Sequence, residues 1–453
     1  MGRANRVDPL FGQPEVKRAL ALAEALGIPA IISAFPELSK RQLPTSGRLL
    51  IDPLFEEVFG RFVGRELAFR PGALAEGSTL TLFDPAPELA EEVCAAWRRG
   101  HYLPKPPAHL PPPEVAPVPV RARPVLVLTR GKAPHCPEGV YAQFRDTIPL
   151  NEESRAWLEG LFPGLSPKDL EELLRYQSWR AGHKGRVYTG LAPLEKLELT
   201  ENPREVLKLL AQSLKAGEEE FLRELAEGSW RLELSGRKPR QVVGLLVIEG
   251  EGTTYGRPVR ITASAAPGSG GVVSVEREAE LAGPLFSKAV LTLAGYLRER
   301  YAEVGPFSAS VSLVFEQTGE DIDGDSAGLA ELLATLSALS GLPLRQDLAV
   351  TGAVDQTGEV LAVGGLTEKA EGLVAAARVL KSGPVGLVYP AANEQNLVPY
   401  GELERAIASG ELRLYPVREV DEAVALLFAT EPEEVHRRVA ETLRRFKRLE
   451  DRS

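Results

Sequence analysis

The chain reads as an α/β (α+β) protein, on three observations. Helical periodicity alternates with short apolar runs through the first hundred residues. A block of long amphipathic helical patterns follows. Beyond residue 236 the texture turns to strands with helices between them.

Taken in order, "LFGQPEVKRALALAEALGIPAIISAF" predicts a helix from near Pro14 and then a short buried strand. "GRLLIDPLFEEVFGRFVG" predicts a strand followed by a helix, and "PELAEEVCAAWRRG" a helix closed by Gly100. Residues 103–124, "LPKPPAHLPPPEVAPVPVRARP", are proline-dense and predict an extended connector. "VLVLT" (Val125–Thr129) predicts a buried strand. From Asn151 to Trp230 helical patterns dominate, and "NPREVLKLLAQSLKAGEEEFLRELAEGSW" predicts a helical hairpin or a coiled-coil arm. "VVGLLVIEG", "RPVRITASA", "GVVSVERE" and "SASVSLVFEQ" then read as strands. In the last of these Val311, Leu313 and Phe315 share one face. "PLFSKAVLTLAGYLRERYAE" and "TEKAEGLVAAARVLKSG" read as helices, "LAVTGAV" and "EVLAVGG" as a hairpin, and residues 431–453 as a charged helical tail.

Composition narrows the function. The chain is 44% hydrophobic and 26% charged, ordinary for a soluble globular protein. A net charge of −10 argues against general nucleic-acid binding, which needs a basic surface. The two cysteines, Cys94 and Cys136, rule out a disulfide framework and suit a reducing cytoplasm. "MGRANRVDPLFGQPEV" lacks the apolar core of a signal peptide, and "ALGIPAIISAF" is too short to span a bilayer. No membrane association is expected. Abundant arginine and a single Met lean towards a thermophile.

The stretch with most chemical promise is "GEDIDGDSAGLAELLATLSALSG", Gly319 to Gly341. A calcium loop starting at Asp321 would need glycine at its sixth position and a carboxylate at its twelfth; those positions hold Ser326 and Leu332. No metal is expected. Gly324-Asp325-Ser326-Ala327-Gly328 also fits G-x-S-x-G, and Leu329, Leu332, Leu333, Leu336 and Leu339 recur at helical spacing. Ser326 therefore stands where a helix begins. Free backbone N–H groups there would stabilise an oxyanion. A serine that merely caps the helix has the same signature, so both readings stand at this point.

A serine nucleophile needs a base. None of the five histidines lies between Gly236 and Thr430; only His436 follows Ser326, in "EEVHRRVAE", which reads as a solvated helix face. The span holds four lysines, Lys238, Lys288, Lys369 and Lys381. In "GGLTEKAEG", with Thr367 as N-cap, Lys369 falls in the first turn of its helix, against the dipole. Dipole and burial together would lower its pKa and free the amine. Pairing with Glu368 or Glu371 is the plain alternative.

"FEQTGEDIDGDSAGLAELLATLSALSGLPLRQDLAVTGAVDQTGEVLAVGGLTEKAEG" resembles the proteolytic domain of Lon proteases, nearest the LonB-like and LonC-like branches. The resemblance extends over roughly residues 240–430. It implies a ribosomal-S5-domain-2-like fold, a Ser–Lys dyad with Ser326 as nucleophile and Lys369 as general base, and a homo-hexameric ring. It assigns Thr351 in "AVTG" to orient the lysine. Asp325 could pair with Lys369 in a resting form, and Gly324 belongs to the serine turn; the other acids of the loop are expected to form turns.

Lon proteases carry an ATPase, whose phosphate loop would read G-x-x-x-x-G-K-[S/T]. The sequence has no such match; Gly131-Lys132 has Leu126 where the first glycine belongs. The opening residues resemble the entry to an AAA+ module, but "AFPELSK" replaces the glycine loop, and "LLID" (Leu49–Asp52) is at most a relic of a metal-binding strand. The expected layout is a degenerate AAA+-like α/β domain over 1–150, a helical segment acting as gate or arm over 151–235, the proteolytic domain over 236–430 and the charged helix over 431–453. Such a combination implies an ATP-independent, LonC-like serine endopeptidase acting on unfolded polypeptides, without cofactor. A latent ring-shaped holdase or scaffold, with Asp325 silencing Lys369, and a small-molecule esterase are the alternatives.

Overall fold

The computed structural model describes residues 10, 12–26, 28–33, 48–51, 53–63, 68–104, 116–129, 133–137, 139–191, 194, 197, 202–250, 253–319 and 321–451. Four sequence features fall outside the described residues: "AFPELSK", Asp52 of "LLID", Gly131-Lys132, and 105–115 of the proline run. The chain divides into two compact units, Met1–Ala181 with Arg186–Val206, and Gly182–Gly185 with Leu207–Ser453.

The first unit is built on β1 (Ala30–Ser33), β2 (Arg48–Ile51), β3 (Leu80–Phe83), β4 (Val125–Thr129) and β5 (Val140–Gln143). Their order is β2-β3-β4-β1-β5, and every neighbouring pair is parallel. β3 and β4 are buried along their whole length, which is why they read as unbroken apolar runs. Helix α1 is Pro14–Leu26, and α2, Pro87–Arg99, ends at Gly100 with φ 76°, the left-handed C-cap that the sequence predicted. Within the proline run Val118–Pro119 pairs with His101–Tyr102 as a short antiparallel ladder, so that end is tied down. Helices α3 (Glu152–Leu161) and α4 (Pro167–Arg180) start at side-chain caps, Asn151 and Ser166.

The main sheet of the second unit has seven strands: β6 (Gln241–Gly250), β7 (Thr253–Pro267), β8 (Gly271–Ser274), β9 (Ala309–Phe315), β10 (Leu348–Val350), β11 (Val385–Pro390) and β12 (Leu412–Val417). Their order is β8-β9-β7-β6-β10-β11-β12. β6, β7 and β9 form an antiparallel meander, while the half from β6 to β12 is parallel. Val311, Leu313 and Phe315 of β9 face inward as predicted, and Ala309 continues the alternation. "GVVSVERE" is strand only to Ser274; Val275–Glu278 turns into a short helix. The expected "LAVTGAV"/"EVLAVGG" hairpin shrinks to Ala353–Val354 against Val360–Leu361, because Leu348–Val350 joins the main sheet instead.

Two readings of the helices change. Helix α5 (Pro203–Ser213) and α6 (Glu218–Glu227) do not make a free arm from end to end. Phe221, Leu225, Trp230, Leu232 and Leu234 join the main core of the second unit, since the apolar stripe of α6 needs a surface to cover it. The remaining helices include α7 (Pro284–Arg300), α8 (Gly328–Ser340), α9 (Leu366–Leu380), α10 (Val420–Phe428) and α11 (Pro432–Glu450). The charged tail is α11, and it is no tail: Val435, Val439, Leu443 and Phe446 recur at helical spacing and are buried, packing it on α8. Its charges occupy the other face as ladders such as Glu434 with Arg437 and Arg438.

Candidate active site

Helix α8 is apolar nearly all round and buried nearly throughout, so it lies in the core rather than on it. Its N-cap is Ala327, which offers no side-chain cap. Ser326 stands one residue earlier, and its hydroxyl makes no hydrogen bond among the described residues. A capping serine would spend that hydroxyl on the helix N–H groups, and here it does not. Gly324 has φ 105°, a conformation that any Cβ would strain, which lets the loop reverse and present the serine.

The loop is pinned on both sides. On one, Ile322 N–H donates to Leu281 C=O and Gly283 N–H to Ile322 C=O, both at 2.8 Å. Asp323 Oδ1 accepts from the N–H groups of Leu285 at 3.0 Å and Phe286 at 3.2 Å, at the start of α7. These bonds, with that of Gly324 N–H foremost, hold its carboxyl below the usual carboxylate range. Asp323 is therefore a dock between loop and helix, not a turn former. On the other side Gly352 N–H donates to Ser326 C=O at 2.7 Å and Leu329 N–H to Gly352 C=O at 2.9 Å.

Lys369 is 2% exposed, whereas Lys238, Lys288 and Lys381 are exposed. Its helix begins earlier than the sequence predicted. The N-cap is Gly365, at φ 66°, and Thr367 is the second helical residue; its hydroxyl donates to Asn396 C=O instead of capping. A side chain at Gly365 would strike Val247, so only glycine lets α9 start against β6. Lys369 Nζ donates to Thr351 Oγ1 at 3.0 Å, and Thr351 Oγ1 donates to Ser326 C=O at 3.1 Å. One buried threonine thus bridges the amine to the backbone of the serine. Burial pushes the Lys369 ammonium down to about 8, against the pull of Glu368 and Asp325.

Asp325 does not pair with Lys369. It is exposed and forms no ion pair among the described residues; its influence is the field alone. His436 is not on a solvated face either. Its Nε2 lies 2.8 Å from Asp421 Oδ1 and its Nδ1 2.6 Å from Tyr301 Oη. Among the described residues no group of three or more His, Cys, Asp or Glu side chains could hold a metal ion.

Ser326 and Lys369 line one cleft of about 410 Å³, with Gly324, Asp325, Arg257, Ile322 and residues 246–249 of β6. The sequence did not reveal that strand's part. β6 pairs with β7 along its whole length but with β10 only at Val243 and Gly244. From Leu245 to Gly250 that edge pairs with no strand among the described residues, and residues 246–249 border the cleft. The signal was present in the lengths, a ten-residue strand beside a three-residue one.

Residues 310–430 match the Lon protease (S16) C-terminal proteolytic domain. A putative Lon protease homolog of Escherichia coli is 37% identical over 43% of this chain and 34% of its own length. Its counterpart in Haemophilus influenzae is 39% identical over 44% of this chain and 33% of its own. An archaeal Lon protease of Pyrococcus abyssi is 28% identical over 67% of this chain and 32% of its own. The match thus spans about a third of the length of these relatives. Among the described residues no helix is long and apolar enough to cross a membrane.

Proposed function

The chain belongs, through its second unit, to the Lon protease family, and on that premise we propose that it is an ATP-independent serine endopeptidase. Ser326 is the nucleophile and Lys369 the general base. The observation that carries this reading is the buried Lys369 amine, held by Thr351 beside a serine whose hydroxyl is unspent. A neutral amine has two N–H donors and one lone pair. With one donor on Thr351, the lone pair is left for the Ser326 proton.

As that proton passes to Lys369, Ser326 Oγ attacks the peptide carbonyl carbon. The resulting oxyanion meets the N–H groups of Ser326 and Ala327, which donate to no acceptor among the described residues. The C–N bond breaks as the Lys369 ammonium returns the proton to the leaving amine. Water, deprotonated by the same amine, then attacks the acyl carbon, and the Lys369 ammonium returns the proton to Ser326 Oγ as the ester bond breaks. The free edge of β6 supports binding of an extended, unfolded polypeptide as an added strand across Ser326.

The lack of a phosphate loop anywhere in the sequence supports ATP independence. The parallel sheet of the first unit supports reading it as a degenerate AAA+ scaffold. The family resemblance adds an S5-like fold and a hexameric chamber, and the two cysteines, too few for a disulfide framework, suit a cytoplasmic setting. The first experiment is degradation of an unfolded protein without nucleotide, wild type beside Ser326→Ala. Cleavage by wild type alone is expected. Cleavage by both variants overturns the serine assignment, and intact oligomers that cleave nothing favour a latent scaffold.

A further inference from the structure

Helix α9 carries a second buried ionisable group two residues beyond Lys369. Two residues turn a helix through about 200°, so Glu371 faces away from Ser326. Its carboxylate is buried, and Oε2 lies 2.6 Å from Lys215 Nζ. Lys215 sits in the turn between α5 and α6, upstream of the matched proteolytic region. Glu218 and Glu368 add negative charge around Glu371, and Lys215 is the cation set against them. Burial pushes the Glu371 carboxyl up to about 7, and Lys215 works against that rise.

The turn is itself fixed to the sheet. Thr254 N–H donates to Leu214 C=O at 2.6 Å, and Glu218 N–H to Lys215 C=O at 2.9 Å. A Cβ on Gly217 would stand 3.0 Å from Tyr255 Cε1, so the turn rests on β7. Helix α9 meets the same strand backbone to backbone. A Cβ on Gly256 would lie 2.1 Å from Glu368 O, and one on Gly372 would lie 1.9 Å from Gly256 O. Towards the sheet, then, α9 has no slack. Beside the first turns of α9 the outer contacts are α6 and the Lys215–Glu371 pair, while its far end is held by Arg378 on Glu411 and Glu402.

We propose that Lys215 is a positioning residue for the reaction, holding α9 through Glu371 so that Lys369 Nζ stays on Thr351 in the cleft it shares with Ser326. The inference rests on the Ser326–Lys369 reading above. Misplacing a base by a fraction of an ångström slows the proton transfer while leaving the substrate-binding edge of β6 untouched. A pair of this kind also couples its partners: once one charge is gone, the other has nothing left to hold.

The test is peptide cleavage by Lys215→Met, Glu371→Gln and the double variant, with wild type and Ser326→Ala alongside. Each single variant is expected to lower kcat about tenfold with KM within twofold, and the double variant to fall no further. The double variant leaves neither half of the pair buried alone, and only Glu218 loses its cation, so it is the less perturbed test case if a single variant does not fold. Lys215→Arg, which keeps the pair, should restore kcat. A purely structural role would lower the folded fraction while leaving kcat per active site, counted with a serine-reactive probe, at the wild-type value; that overturns the proposal alone. Losses that multiply in the double variant overturn it too. Turnover that survives Ser326→Ala overturns the proposal together with the reading beneath it.

Discussion

Two polar networks in the second unit look alike in residue type and differ in what they leave open. Asp421, His436 and Tyr301 form a chain through both ring nitrogens, and Arg300 Nη2 closes it on Asp421 Oδ2 at 3.0 Å. An acid, a histidine and a hydroxyl in series are the usual parts of a nucleophile's relay. Yet the hydroxyl at its end belongs to a tyrosine whose acidity burial suppresses, and no cleft among those described reaches it. Ser326, Thr351 and Lys369 hold less in the way of familiar parts. There the terminal hydroxyl is unspent, the amine has one acceptor, and a cleft opens over both. The difference lies in unused bonding capacity, and it makes the first network a brace among α7, α10 and α11 and the second the candidate site.

The largest effect should come from removing the amine. Lys369→Met is expected to lower kcat by about 10³-fold or more, as loss of a base from a nucleophile pair does. The same substitution should stabilise the fold by about 1–3 kcal/mol near neutral pH, because a desolvated cation is replaced by an apolar chain of similar length. Thermal unfolding and steady-state cleavage of one preparation check both. A variant that loses turnover and stability together would make Lys369 another brace.

A second expectation concerns pH. Only the neutral amine can take the serine proton, so kcat/KM should rise about tenfold per unit up to the Lys369 pKa of about 8 and then level. The sign for stability follows from the same shift. The unfolded lysine titrates near its ordinary 10.5, so between about 8 and 10.5 the unfolded state binds more protons. In that window the contribution of Lys369 to stability climbs with pH; below it the desolvation penalty is present in full. Lys369→Met should remove that climb. A rate profile flat from pH 6 to 9 would break the assignment of the base.

How far the sequence went follows the range of each interaction. Local signals were legible: the glycine–serine turn before an apolar helix, the alternation in β9, the Gly100 cap, and a lysine oddly placed in a first turn. Thr351 came through family resemblance alone, since its two bonds reach across the fold to Ser326 and Lys369. Thr367 was misread as a cap because a left-handed Gly365 starts the helix earlier, which a Gly-Gly pair before it permits without announcing. The Lys215–Glu371 contact had no local trace at either residue. Gly256 within a strand and Gly372 within a helix did mark a close approach, but not the partner of either.

The smallest expected effect on turnover tests the comparison from its other side. His436→Leu keeps a side chain of moderate size at the edge of α11 and removes both ring nitrogens. The Tyr301 hydroxyl then loses its partner in a buried place, while Asp421 keeps Arg300. Removing one partner of a buried group costs about 1–3 kcal/mol, so a lower unfolding midpoint is expected. Cleavage per folded molecule should stay within twofold of wild type, with the pH midpoint unmoved, since neither Ser326 nor Lys369 bonds to any member of that network. A fall in kcat larger than tenfold, at full folding, would mean that the braced network feeds the site. Histidine chemistry would then have to be added to the proposed mechanism, which runs on a serine and an amine.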